Sequence, residues 1–141
     1  MDCLFCKIAA KEITDSIVHE DDTTVAFLDI NPRAPGHTLI IPKDHCESIL
    51  DLKEEQIEPV FSAVKRMTGI LKKALAPDGF TIGVNHGRHA GQVIDHLHIH
   101  VIPRWKDDGG TSVNSVVLNQ TGESLESIKE KILKASQTVE S

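Results

Sequence analysis

Three imidazoles alternate with three aliphatic side chains in Asp95-His96-Leu97-His98-Ile99-His100-Val101-Ile102-Pro103. On a β-strand successive side chains point to opposite faces, so His96, His98 and His100 share one face while Leu97, Ile99 and Val101 share the other. The spacing assigns one face to chemistry and the other to a core. Successive imidazoles would stand roughly 7 Å apart, two strand rises, too far to converge on one atom but suited to lining an elongated group such as a phosphate chain. Two other readings of the run stay open at this level. The histidines could decorate a solvent-facing strand, or a His-x-His pair could chelate zinc or iron, since imidazole is the commonest metal-ligating side chain. A metal centre of the oxygenase or cupin kind also needs a nearby carboxylate. The next acidic residues are Asp107 and Asp108, beyond Pro103, where the strand pattern has ended.

A second chemical group stands at the other end of the sequence. Cys3-Leu4-Phe5-Cys6 is a CxxC, half of a zinc site or a redox pair. The thioredoxin-like use wants the motif after a strand and opening a helix in a βαβ context, which this N-terminal position is not expected to supply. Cys46 adjoins His45 outside any ligand spacing and reads as a plain buried or free thiol.

The rest of the chain must position these groups. Its 141 residues have the length of one domain with an adequate core, and a hydrophobic content of 40% with 26% charged residues places it among globular chains rather than disordered ones. Four phenylalanines, one tryptophan and no tyrosine leave no stacking platforms for single-stranded nucleic acid. A net charge of −6 without a basic block argues against a phosphate-backbone binder, so no nucleic-acid partner is expected. No apolar run approaches bilayer length, so no membrane partner is expected, and Met1-Asp2-Cys3 begins no basic-then-apolar leader. The expected setting is cytoplasmic, where the three cysteines are thiols or metal ligands rather than disulfide partners.

Ser16 to Glu20, Thr24 to Asp29 and His37 to Pro42 read as short strands, separated by Glu20-Asp21-Asp22 and by the turn segment Asn31-Pro32-Arg33-Ala34-Pro35-Gly36. From about Glu54 to Ala76, apolar residues at Ile57, Val60, Phe61, Val64, Met67, Leu71 and Leu75 fall on one helical stripe. Pro59 predicts a helix start near Glu55 to Glu58, with the proline inside the first turn. Pro77-Asp78-Gly79 ends that helix, and Phe80 to Val84 is a strand delivering Asn85 into the loop His86 to Gln92. An antiparallel hairpin with the histidine strand follows as the economical pairing. Ser112 to Leu118 reads as a further strand, and Leu125, Ile128, Ile132 and Leu133 mark a closing amphipathic helix with Glu130 and Lys134 at i,i+4. The class is α+β: an antiparallel sheet of about five strands with one long central helix and a C-terminal helix, as a single domain over residues 1–141.

His96-Leu97-His98-Ile99-His100-Val101-Ile102 resembles the signature of the histidine triad (HIT) family of nucleotide hydrolases and transferases. The resemblance extends to Phe27-Leu28-Asp29-Ile30-Asn31-Pro32, to Pro35-Gly36-His37-Thr38-Leu39-Ile40-Ile41-Pro42-Lys43-Asp44-His45, and to Gly83-Val84-Asn85-His86-Gly87 with Ala90-Gly91-Gln92. Together these cover about residues 3–104 and leave 105–141 as a C-terminal extension. The resemblance implies release of a nucleoside monophosphate, AMP foremost, from a phosphoramidate or a dinucleoside polyphosphate. His98 would attack the α-phosphate to give a nucleotidyl-histidine that water hydrolyses, a task suited to an imidazole neutral near pH 7. By the same resemblance His100 would donate to the phosphate and His37 would support the nucleophile. Asn85 and Gln92 would supply neutral donors, Gly91 would let backbone amides approach the anion, and Asp29, beside Ile30, would accept from the ribose hydroxyls. His37 as a strand-end histidine and Asp29 as a turn-starting residue before Asn-Pro stay open as alternatives. Val93 stands where many phosphoramidate-cleaving members carry a serine that protonates the leaving group. His86, Arg88 and His89 either favour a polyphosphate leaving group or are solvated loop residues.

Relatives with an N-terminal cysteine pair use it with two histidines for structural zinc, which by resemblance makes Cys3, Cys6, His45 and His96 a closed tetrahedral set. One triad histidine then serves the metal while the next two serve phosphate. No organic cofactor is expected. The resemblance further implies a homodimer acting on a purine nucleotide. A nucleotide-binding regulatory protein with vestigial catalysis is the alternative from another class, and a nucleotidyltransferase is a third.

Overall fold

The computed structural model describes residues 2–14, 16–120 and 122–138. The elements run α1 (Leu4–Ala9), β1 (Ile17–Glu20), β2 (Thr24–Leu28), β3 (Thr38–Pro42), α2 (Glu54–Leu75), β4 (Gly79–Gly83), β5 (Ile99–Arg104) and α3 (Leu125–Ser136). The chain divides after Gly110 into two compact units. In the first, five strands form one sheet in the order β1-β2-β3-β5-β4, every neighbouring pair antiparallel. The α+β class and the five strands are as the sequence predicts.

Each sheet face carries its own core. Ala26, Ile40, Leu97, Ile99 and Val101 pack with Val60, Ala63, Val64, Met67 and Leu71 of α2. Val25, Phe27, Leu39 and Ile41 of the opposite face pack with Phe5 and Ile8 of α1. β3 is therefore buried along its whole length and β2 through Phe27, which is why both read as near-continuous apolar runs instead of alternating ones.

Several elements differ from the sequence prediction for identifiable reasons. The histidine run enters the sheet only at Ile99, where Ile40 pairs with it. Continuing the register would oppose Pro42 to Leu97, and Pro42 has no amide proton to give. Leu97 instead donates its N–H to the Cys46 carbonyl at 2.7 Å, and the Pro42 carbonyl meets His96 Nε2 at 2.9 Å. The chain peels off while keeping its alternation: Leu97, Ile99 and Val101 still share the α2 face. α2 begins at Glu54, earlier than predicted, so Pro59 lies in the second turn. The carbonyl it leaves without a helical partner is that of exposed Glu55, where water can satisfy it. The buried stripe of α2 runs Gln56, Val60, Ala63, Val64, Met67, Leu71, leaving Ile57, Phe61 and Leu75 on an exposed shoulder.

α1 is an unpredicted element. Six residues are too few to display a period, yet Cys3 caps the helix by accepting the Cys6 N–H on its sulfur at 3.4 Å. The CxxC does open a helix after all, though without a preceding strand. In the second unit the expected strand at Ser112 to Leu118 is a 3₁₀ turn, Val113–Ser115, with its residues exposed. α3 forms as predicted, capped by Ser124 accepting from the Ser127 N–H at 3.1 Å. Among the described residues no helix is long and apolar enough to cross a membrane.

The β2–β3 connection sets the depth of His37, and Gly36 is its tightest point. Its φ is +82°, and a Cβ there would collide with Leu75 Cδ1 and lie 3.3 Å from Leu71 Cδ2. Gly36→Ala is expected to destabilise the fold by about 2 kcal/mol, from left-handed strain plus overpacking against α2. Urea unfolding checks this; an unchanged midpoint would show that the turn absorbs a side chain.

Candidate active site

Backbone groups decide the protonation pattern of three histidines here, and through one of them that of a fourth. His98 Nδ1 lies 2.7 Å from the carbonyl oxygen of His96, so it must carry the proton and donate. That leaves a lone pair on His98 Nε2. The ring is buried, with Phe5 edge-on to it at 5.1 Å and the His100 ring also at 5.1 Å, closer than the strand-rise estimate.

A second chain of bonds sets His100. The Arg33 N–H donates to His37 Nδ1 at 3.1 Å, so the His37 proton sits on Nε2 and is donated to His100 Nδ1 at 2.9 Å. His100 therefore carries its own proton on Nε2, a buried atom without a partner among the described residues. An unpaired buried donor costs roughly 1–3 kcal/mol, which an anionic ligand oxygen would relieve. Asp29 Oδ2 lies 3.6 Å from His37 Nε2, while Asp29 Oδ1 accepts the Asn31 N–H at 2.9 Å. Asp29 thus starts the turn and also faces the site.

Burial, followed by the neighbouring His98 and His37, pushes the His100 imidazole from 6.5 down to about 4, and burial likewise lowers His37. Both rings are neutral at pH 7. Below about 6.5 the unfolded chain binds protons that the folded chain refuses, so stability is full above that value and falls as pH drops toward 4. Partly screened by solvent, the His100 share is on the order of 2 kcal/mol. Thermal unfolding is expected to show Tm falling between pH 7 and about pH 4.5, with a shallower fall in His100→Gln; equal slopes would refute the assignment.

These groups line a cavity of about 410 Å³. His98, His100, Asn85, Asp29 and Gly91 contribute its polar end, and Leu4, Phe5, Ile8, Phe27, Leu28 and Leu39 its apolar walls. Ile30 and Val93 also line it, each 81% exposed at the mouth. Gly91 has φ +102°, with its α-carbon facing the Asn85 amide. Gln92 is fully committed elsewhere: its Nε2 donates to the carbonyls of Glu47 at 2.7 Å and Ile94 at 3.0 Å, and its Oε1 accepts the Gly87 N–H at 2.8 Å. It clamps the loop shut, and a bond to phosphate would require giving one of these up. This clamp was not readable from the sequence, since a buried amide and an exposed one look alike there. In the loop, His86, Arg88 and His89 are all exposed and outside the cavity wall, and Arg88 lies 3.5 Å from Asp95.

Among the described residues, two clusters gather metal-ligating atoms within 4.8 Å of one another: Cys3, Cys6, His45 and His96; and Asp29, His37 and His100. The second is closed to a metal, because His37 Nδ1 accepts from a backbone N–H and Nε2 must keep its proton. The first is open to one. His96, fully buried, donates its Nε2 proton to the Pro42 carbonyl, which leaves Nδ1 facing Cys3 Sγ at 3.5 Å and Cys6 Sγ at 3.6 Å. His45 Nδ1 lies 3.3 Å from Cys6 Sγ. Burial, then the adjoining Cys3 thiol, pushes Cys6 above the ordinary thiol range, a penalty that a bound cation would reverse. The predicted ligand set is thus assembled, and it could hold a metal ion.

The HIT domain family matches residues 10–107. A HIT-like protein of Methanocaldococcus jannaschii is 46% identical over 107 residues, covering 76% of this chain and 82% of that protein. The adenosine 5'-monophosphoramidase of Schizosaccharomyces pombe is 37% identical over 113 residues, covering 80% of this chain and 82% of that one. A crystal structure of a HIT family protein from Bacillus anthracis matches with a TM-score of 0.86 at 34% identity, covering 99% of this chain and 98% of that chain.

Proposed function

This chain belongs to the HIT domain family, and on that premise we propose that it is a nucleotidyl hydrolase releasing a nucleoside monophosphate, AMP foremost, through a nucleotidyl-His98 intermediate. The observation that carries this reading is the fixed tautomer of His98: a buried imidazole with its Nε2 lone pair free in the cavity, beside an unpaired His100 N–H. The nucleoside would lie against Phe5, Phe27 and Leu39 with its ribose toward Asp29. His98 Nε2 attacks phosphorus, the leaving group departs, and His100 Nε2–H holds a non-bridging oxygen as charge builds on it. Asn85 faces the same end and adds a neutral donor. Water then attacks the nucleotidyl-histidine.

The substrate is a nucleoside phosphoramidate or a dinucleoside polyphosphate. The placement of His86, Arg88 and His89 outside the cavity wall, together with the name of the fission-yeast relative, supports the phosphoramidate. Val93 at the mouth gives no proton to an amine, which must then take one from solvent. Incubation with an adenylate phosphoramidate and, separately, with a dinucleoside tetraphosphate, quenched in base and read by intact mass, tests the reading. The expected result is an adduct on His98 with AMP released. Bound nucleotide with neither adduct nor turnover would replace hydrolysis by a regulatory binding role.

Cys3, Cys6, His45 and His96 would hold zinc, which when bound supplies a structural cross-link and takes no part in bond breaking. One equivalent is expected in protein purified without chelator. A cytoplasmic homodimer completes the proposal: edge strand β4 with exposed Ile82, and Ile57 and Phe61 on α2, offer apolar surface for a second copy.

A further inference from the structure

The short helix α1 takes part in two structures at once. Its two cysteines belong to the Cys3–Cys6–His45–His96 cluster, while Leu4, Phe5 and Ile8 between and beyond them line the 410 Å³ cavity. Leu4, with Val93 and Ile94, also lines a second, polar cavity of about 520 Å³, so this part of α1 is a wall shared by both spaces. Phe5 packs edge-on against Phe27 at 5.1 Å and against the His98 ring at 5.1 Å.

What fastens this wall is limited. A six-residue helix does not hold itself in water. Among the described residues, the backbone–backbone bonds of residues 3–10 stay within the segment: Lys7 N–H to Cys3 O, Ala10 N–H to Cys6 O, and Lys11 and Glu12 N–H back to Ile8 and Lys7. Beyond the apolar contacts of Cys3, Phe5, Ile8 and Ala9, the ties to the rest of the unit are the Lys11–Glu20 ion pair at 2.7 Å and the thiol–imidazole contacts to His45 and His96. The latter link residues 3 and 6 to positions 39 to 93 residues away. The cluster also reaches the nucleophile by a second route, since the carbonyl of His96 holds His98 Nδ1.

We propose that α1 is a metal-held wall of the substrate cavity, so that filling the Cys3–Cys6–His45–His96 cluster sets how tightly the nucleotide is held. This rests on the nucleotide reading above. With the cluster filled, Leu4, Phe5 and Ile8 are pinned over the nucleoside. With it empty, only weak thiol–imidazole contacts tie the two cysteines, the wall loosens, and the apolar half of the cavity opens toward its polar neighbour. The same chain is then a tight or a weak nucleotide binder according to zinc supply, with phosphate contacts at His100 and Asn85 untouched.

Calorimetric titration of AMP into the full-length protein, zinc-loaded and chelator-stripped, reads this without reference to turnover. The expected result is an AMP affinity at least about tenfold weaker after stripping, the worth of one buried apolar contact, restored by one equivalent of Zn²⁺. A second arm uses Phe5→Ala: this variant should keep one zinc yet bind AMP about tenfold more weakly, because the wall is cut while its anchor remains. Stripped protein that is folded by circular dichroism and binds AMP within about twofold of the loaded form overturns the proposal. So does Phe5→Ala with full zinc and unchanged affinity, and this arm decides alone if stripping unfolds the chain. Loaded wild type that binds no AMP removes the nucleotide reading itself, and the proposal with it.

Discussion

His98→Ala is expected to lower kcat by about 10⁴-fold or more while leaving nucleotide binding within a few fold of wild type. The reason is local. His98 Nε2 is a free lone pair fixed by a backbone carbonyl, whereas the His37 nitrogens and His100 Nδ1 are engaged and His96 faces the thiols. No neighbouring imidazole can take over the attack without breaking its own hydrogen bond. The apolar walls and His100 remain to hold the ligand. Turnover of a fluorogenic adenylate, with AMP affinity measured in parallel, checks this. A variant retaining a tenth of the wild-type rate would show that the covalent route is not used.

His96→Ala, two residues earlier, is expected to behave in the opposite way, losing about 4 kcal/mol of stability together with bound metal. The fully buried ring would be replaced by a void, the Pro42 carbonyl would lose its partner, and the two sulfurs would lose the ring nitrogen they share. Denaturant unfolding with metal analysis measures both effects, and His98→Ala serves as the comparison, with a loss smaller by at least half. Equal stability losses, or a full equivalent of metal in His96→Ala, would refute the division of labour between the two histidines.

The geometry behind that proposed division was legible in part. Alternation within one run placed His96, His98 and His100 opposite Leu97, Ile99 and Val101, and the structure keeps that separation although only His100 lies in a strand. Composition cannot show where a strand leaves a sheet; here the cause is a proline on the neighbouring strand and a carbonyl supplied by Cys46, residues far off in sequence. The ligand set drawn from both ends of the chain came from family resemblance, and the four residues do meet. α1 escaped because six residues carry no period, and the Gln92 clamp because its partners, Glu47 and Gly87, lie across a loop. The tautomers of His37, His96 and His100 lay beyond the sequence, since they depend on which donor or acceptor faces each ring.

From the Arg33 amide through His37 to His100, every ring nitrogen either keeps a proton or is already accepting one. Neither ring has a lone pair to offer the water that must free the nucleotide from His98. On the proposed reaction, discharge is therefore unassisted by these two rings, just as Val93 leaves protonation of an amine leaving group unassisted. The two rings hold and orient an anion, and both proton exchanges of the cycle are left to solvent.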